Sequence, residues 1–162
     1  MSRIDARLAA LGLTLPPPVI LPPGVVLPFA MVNVRGERAF VSGHGPQEAD
    51  GSFAGPFGQV GSDVSVAEAH ELARKTGLSM LGSLRRALGD LDRITGWVRV
   101  FGMVHSAPGF YDQPAVINGF TDLILEVFGP EIGRHARSAV GMAALPMGGI
   151  AVEIEAEVLI RP

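Results

Sequence analysis

From residue 152 to residue 158 the chain alternates without a fault. Val152, Ile154, Ala156 and Val158 occupy one parity, and Glu153, Glu155 and Glu157 the other. A period of two is the signature of a β-strand, whose successive side chains point to opposite faces. This strand therefore presses one face on an apolar core and offers carboxylates on the other. The rest of the chain must supply that core.

Two segments have helical spacing. Ser65-Val66-Ala67-Glu68 is a capping box, in which the serine and glutamate side chains satisfy each other's backbone N–H groups. It predicts a helix from Val66 to Leu88, with Leu72, Leu78, Leu81, Leu84 and Leu88 as its buried stripe and Gly89 as its stop. A second helix opens near Pro114, a residue suited to a first helical position, and ends at Gly129-Pro130. Four further strands read from β-branched and apolar runs: Val26 to Val34, Arg38 to Ser42, Trp97 to Ser106, and Ala136 to Ala144. The turn Pro146-Met147-Gly148-Gly149 sets the last of these against a strand from Ile150 to Ile160. The order ββαβαββ predicts an α+β domain with two helices on one face of the sheet.

Ahead of this core, Ser2 opens a short helix that runs to about Leu11 and stops at Gly12. Pro16-Pro17-Pro18 then imposes an extended arm through about Pro23. Residues 1–27 are thus expected as helix and arm, and residues 28–162 as the core of a single domain. The glycine-rich loop from Gly43 to Gly61 lacks the Lys-Ser/Thr ending of a phosphate-binding loop and reads as irregular surface near a cleft.

Composition narrows the partners. Among 162 residues, 48% are apolar and 18% charged, against about 25% charged in ordinary globular domains. A chain this apolar needs a partner surface, and closing the open sheet faces of three copies around an axis would supply one. A membrane span is not the explanation: the most apolar stretch, Val19 to Val34, is interrupted by Pro22, Pro23 and Pro28. Charged Arg3, Asp5 and Arg7 leave no secretory signal, so a cytoplasmic protein is expected. The absence of cysteine removes thiol nucleophiles and thiolate metal sites, and no His-x-x-x-His pair suggests another metal site. Net charge is −3 with scattered basic residues, which argues against nucleic acid, whose affinity comes from clustered Lys and Arg. Lys75 is expected to pair with Glu71, four residues earlier on the helix.

Several side chains could carry chemistry. Glu153 lies nearest the glycine turn and deepest in the apolar hairpin, where a carboxylate's pKa rises and it becomes a candidate general acid/base. Arg137 enters a strand too apolar for an ordinary surface and offers a planar fork for a substrate carboxylate. With the turn centred on Met147–Gly148, Arg137 would face about Val158, roughly 16 Å from Glu153 at ~3.3 Å per residue. That distance suggests a site assembled between subunits. His44, where a strand opens into the glycine loop, is a candidate cleft residue, as are His105 and His135; His70 reads as surface. Ser42 has no neighbouring base and reads as a hydrogen-bonding group.

These pieces resemble the RidA/YjgF family, often labelled endoribonuclease L-PSP. The resemblance rests on Phe40-Val41-Ser42-Gly43, the segment Asn118 to Phe128, Ala136-Arg137-Ser138, and Leu145-Pro146 followed by Val152-Glu153-Ile154-Glu155-Ala156. It spans roughly Pro28 to Arg161. It implies a chorismate-mutase-like fold, a homotrimer with a barrel-like centre, and clefts between subunits. In the family's deaminase branch, the arginine matching Arg137 holds a substrate carboxylate and the glutamate matching Glu153 places or activates water. Asn118, Ser42 and Gly43 match cleft positions. The implied reaction, hydrolysis of 2-imino acids or enamines to 2-oxo acids and ammonia, needs no cofactor. The family's cleft tyrosine falls at Phe29 and its common cleft cysteine at Ala139, as in a distinct, longer subgroup. A non-catalytic trimer binding a small carboxylate metabolite is the alternative.

Overall fold

In the computed structural model, which describes residues 2–162, the main elements run α1 (Arg3–Ala10), β1 (Val32–Arg35), β2 (Arg38–His44), α2 (Val66–Leu88), β3 (Ile94–His105), α3 (Gln113–Gly133), β4 (Ala136–Met142) and β5 (Val152–Ile160). After α1, the strands and these long helices follow the expected ββαβαββ order. The boundaries have local causes. The Ser2 hydroxyl accepts from the Asp5 N–H at 3.2 Å. Ser65 Oγ accepts from the Glu68 N–H at 3.2 Å, while the Ser65 N–H donates to the Glu68 carboxylate at 2.9 Å. Gly89, at φ 78°, ends α2 in a conformation that disfavours other residues. The expected end of α3 at Gly129-Pro130 is instead a break: Gly129 leaves helical geometry at φ 76°, and Pro130 begins one more turn.

The sheet order is β1-β2-β5-β3-β4. β5 is therefore central, antiparallel to both β2 and β3, and β4 is an edge strand parallel to β3. This corrects the hairpin expected between the last two strands. β4 is reached from β3 through α3, and such a strand–helix–strand crossover returns parallel to its starting strand. The chain then crosses to insert β5 between β2 and β3. Register runs Glu153 to Met103 to Val140 across three strands, and Ala156 to Val100 to Arg137.

Helices α2 and α3 cover one face of this sheet. Val152, Ile154 and Val158 of β5, with Val100 and Val104 of β3, are buried beneath them. The two helices approach closely at Gly119, where a Cβ would strike the His70 carbonyl, and at Gly77, where it would meet Leu123. Trp97 packs edge-on against Phe120 and Phe128 at 5.7 and 5.8 Å. The opposite face is uncovered, carrying Phe40, Phe101, Glu155 and Glu157. Among the described residues no helix is long and apolar enough to cross a membrane.

Three smaller expectations change. Of the strand expected from Val26 to Val34, only residues 32–34 pair with β2, and the pairing continues one residue further to Arg35. Val26 is 84% exposed, and Pro28 has no N–H to give a ladder. Leu78 is half-buried while the rest of the α2 stripe is buried. Lys75 pairs with Glu48 of the glycine loop, at 2.7 and 2.8 Å, instead of with Glu71.

Helix α1 and the arm that follows it are held in place by several contacts. Backbone N–H groups of Arg3 and Ile4 donate to Asp92 at 2.7 and 2.9 Å, and Arg85 pairs with Asp5. Arg86 donates to the Pro16 carbonyl at 3.1 Å, and the Ile20 N–H donates to the Gly51 carbonyl at 3.0 Å. The arm thereby lies across α2 and the glycine loop.

Candidate functional site

The candidate residues fall into two patches. The first lies on the helix-covered face at the β4 edge. Strand pairing keeps Arg137 on the side of Val100, and its guanidinium reaches α3. Nη1 donates to Asn118 Oδ1 at 2.8 Å and to Thr121 Oγ1 at 3.1 Å. Asn118 and Thr121 are three residues apart on the helix and so share its face. Behind them, His135 Nδ1 meets the Gly133 carbonyl at 2.8 Å, and its Nε2 lies 3.2 Å from Thr121 Oγ1. A carbonyl only accepts, so the proton sits on Nδ1 and the Thr121 hydroxyl donates to Nε2. Burial, followed by the Arg137 charge, holds the His135 pKa below its ordinary value, which favours this neutral form.

Both Nη1 protons of Arg137 are thus engaged. The Nε–Nη2 edge has no protein partner among the described residues, and that edge can hold a carboxylate in two places. Burial lowers the Arg137 pKa, with Asp122 opposing, but a guanidinium still keeps its charge at neutral pH. Ala139, two residues along β4 and packed against the core, adds a methyl group to the same patch.

The second patch lies where β2 bulges. Between Val41 and His44 the pairing with β5 slips, and Gly43 occupies the slip. A Cβ on Gly43 would land on the Glu153 carboxylate, so this glycine allows the carboxylate to sit against the backbone. Glu153 is half-buried and has no cation within ion-pair distance among the described residues. Burial first, and the Glu155 charge second, push its pKa above the usual carboxylate range. Ser42 donates its hydroxyl to the Ala30 carbonyl at 2.8 Å and its N–H to Met31 at 3.0 Å. It thus ties the Phe29–Met31 segment over the bulge. Phe29 itself is 55% exposed.

His44 is 2% exposed. Its Nδ1 meets the Ser42 carbonyl at 2.7 Å and its Nε2 meets Ser83 Oγ at 2.9 Å. Ser83 Oγ in turn accepts from Arg86 at 2.9 Å. Burial drives the His44 pKa down to about 4, so the ring is neutral at physiological pH. Both ring nitrogens are engaged within the protein, and the ring braces the bulge as part of a cavity wall. That cavity, about 570 Å³, opens beside Glu153 and Gly43 and runs beneath the N-terminal arm.

The other histidines stand apart. His105 is half-buried, and its Nδ1 has no partner among the described residues. His70 lies between Glu71 and Asp122, 3.6 Å from each.

Within one chain the two patches do not meet. Glu153 is level with Val140, three residues beyond Arg137 and two strands away, or roughly 14 Å at ~3.3 Å per residue and ~4.8 Å per strand. The two side chains also lie on opposite faces of the sheet. The separation expected from the sequence is therefore present, for a different reason than the hairpin.

The comparisons accord with this geometry. Residues 5–157 match the family model described as "YjgF/chorismate mutase-like, putative endoribonuclease". The chain belongs to that family. It is 40% identical over 154 residues to "Protein TCP17" of Trypanosoma cruzi, covering 95% of this chain and 92% of that protein. Among solved structures, Atu1372 of Agrobacterium tumefaciens, described as of unknown function, is 40% identical with a TM-score of 0.83, covering 97% of this chain and 91% of that one. A Shewanella oneidensis protein bearing the endoribonuclease label is 28% identical with a TM-score of 0.84, covering 98% and 100%. The match takes in the arm and most of α1, beyond the Pro28 to Arg161 span legible in the motifs. Membership in the family supports a small-molecule-handling role.

Thr121 and the tautomer of His135 went unnoticed in the sequence. The signal for Thr121 was its place three residues after Asn118 on a helix whose face had to meet Arg137.

Proposed function

We propose that this protein is a homotrimer that hydrolyses 2-imino acids, or their enamine tautomers, to 2-oxo acids and ammonia in clefts between subunits. The observation that carries the reading is a pair of unmet charges. Arg137 has an open fork edge, and Glu153 is a half-buried carboxylate without a cation, yet the two lie on opposite faces of one chain. A second copy that brings its Arg137 patch to this chain's bulge makes them one site. The uncovered sheet face, with Phe40 and Phe101 exposed or half-buried on it, is the surface such an assembly would cover.

In that cleft the substrate carboxylate lies on Nε and Nη2 of Arg137. Asn118 and Thr121 fix the guanidinium so that the imine carbon is presented to Glu153 of the neighbouring copy. Ionised Glu153 takes a proton from water as its oxygen attacks the carbon of the C=N bond. The glutamic acid so formed protonates the nitrogen to give a carbinolamine. The carboxylate then takes the hydroxyl proton and passes it to the nitrogen as the C–N bond breaks, so ammonia leaves and the C=O bond remains. The substrate is already electrophilic, so positioning and proton transfer suffice without a cofactor. The raised pKa of Glu153 suits it to exchange protons nearer neutrality.

A second reading is a trimer that binds small carboxylate metabolites without turning them over. Phe29 and Ala139 favour it, since neither brings a polar group to the cleft. Nucleic acid is a poor fit for either reading, because a net charge of −3 with dispersed arginines gives no track for phosphates.

The test couples an amino-acid oxidase, which generates 2-imino acids, to the wild type, Arg137→Ala and Glu153→Ala, with solution mass measured for each. Hydrolysis by a trimer that both variants lose supports the first reading. A folded trimer that binds 2-oxo acids but accelerates no imine overturns it in favour of the second.

A further inference from the structure

The cavity beside Glu153 is larger than a small imino acid requires. At about 570 Å³ it falls within the range of sites for whole drug-sized ligands, roughly 300–1,000 Å³. Its walls are mainly apolar: Leu21 and Leu27 from the arm, Phe29 and Met31 from the segment before β1, Phe53 from the glycine loop and Ile150 before β5. Glu153 lines it as well, with its carboxylate against Gly43. A ligand presenting its reacting carbon to Glu153 thus has its substituent next to an apolar chamber roofed by the arm.

Resting on the hydrolase reading above, we infer that the preferred substrates are acids with a large apolar side chain, aromatic or long and branched, and that this side chain occupies the chamber under the arm. A methyl side chain would leave the chamber to water against apolar walls. A benzyl group removes that contact. At ~25 cal/mol per Å² of apolar surface, transferring a group of that size from water tightens binding roughly 50-fold. The arm is suited to this task because Arg86, itself held by the Ser83 hydroxyl, and the Gly51 carbonyl anchor its backbone, so the apolar roof is in place before a ligand arrives. The discrimination would come from a segment outside the sheet and its two long helices.

The test is calorimetric titration of the full chain with pyruvate and with phenylpyruvate, two 2-oxo acids that differ in the side chain alone. Ala87 lies on the exposed rim of α2 and lines the chamber, so Ala87→Trp fills it without disturbing the core. Leu27→Ser makes the roof polar and guards against a folding defect in the first variant. The expected result is phenylpyruvate binding roughly 50-fold tighter in the wild type. Both variants should erase most of that gap and leave pyruvate within about twofold. Equal affinities in the wild type, or a gap that survives both variants, overturn the inference while Arg137→Ala still abolishes binding and so upholds the site. If neither acid binds, or if Arg137→Ala changes neither affinity, the hydrolase reading and the inference fall together.

Discussion

Replacing Gly43 with alanine separates the fold from the chemistry at Glu153. Gly43 is not among the residues with positive φ, so its backbone accepts a side chain. The new Cβ would fall on the Glu153 carboxylate, with Cδ at 3.0 Å and Cγ at 3.2 Å, inside the 3.4–4 Å of ordinary contact. The obstacle is the end of a flexible side chain, so the molecule yields by rotating Glu153. Such a rotation costs about 0.5–1.5 kcal/mol when it leaves a preferred rotamer. For a chain of 162 residues this lowers Tm by roughly 1–6 °C. The carboxylate, however, must withdraw by more than ~1 Å, and a misplacement of that size costs on the order of 100-fold in rate. The assay is coupled imine hydrolysis alongside scanning calorimetry at fixed protein concentration. A variant that hydrolyses imines at the wild-type rate would refute the role given to the carboxylate in its observed position. A fall in Tm far beyond 6 °C would refute the claim that the side chain gives way.

Thr121→Val should raise KM about fivefold with kcat little changed, because it removes one of two anchors of Arg137 at roughly 1 kcal/mol per hydrogen bond; steady-state kinetics decides. His44, whose folded pKa is depressed to about 4, binds protons more readily once unfolded, so stability should fall as pH drops from about 6.5 towards about 4. Urea midpoints across that window should show the slope, and His44→Gln should reduce it. Glu153 has the opposite sign: its folded pKa is raised, so its ionisation lowers stability as pH rises through the interval above the ordinary carboxylate value. Glu153→Gln should therefore have a higher Tm than wild type at pH 7 while losing hydrolysis. A lower Tm at that pH would count against the burial argument.

What was legible in the sequence was mostly local. The capping box at Ser65 and Glu68 bounds α2 by hydrogen bonds within one turn, and the alternation of residues 152–158 identifies a one-sided strand from neighbours alone. Pairing is not local. β4 and β5 are consecutive and joined by a glycine turn, which invites a hairpin, but the short connections around α3 commit β4 to lie parallel to β3. The three-element pattern of strand, helix and strand was the available clue. Val26 to Val34 has the composition of a strand, yet the arm and Pro28 keep its first half out of the sheet. Arg137, Asn118, Ser42, Gly43 and Glu153 could be named from motifs, and the structure brings them together as two patches. The arm's contribution of Leu21 and Leu27 to the cavity beside Glu153 has no sequence signature, because it depends on where Arg86 and Gly51 hold the arm.

The placement of Arg137 and Glu153 on opposite faces has a genetic consequence. In the proposed trimer no chain owns a complete site, so the heritable unit of activity is the contact between neighbours. Chains carrying Arg137→Ala and chains carrying Glu153→Ala, each inert alone, would restore function when they assemble together, because one junction of the mixed ring would still join an intact arginine to an intact glutamate. A chain bearing both changes would instead spoil the junctions on each side of it, and a minority of such chains would silence a disproportionate share of the population.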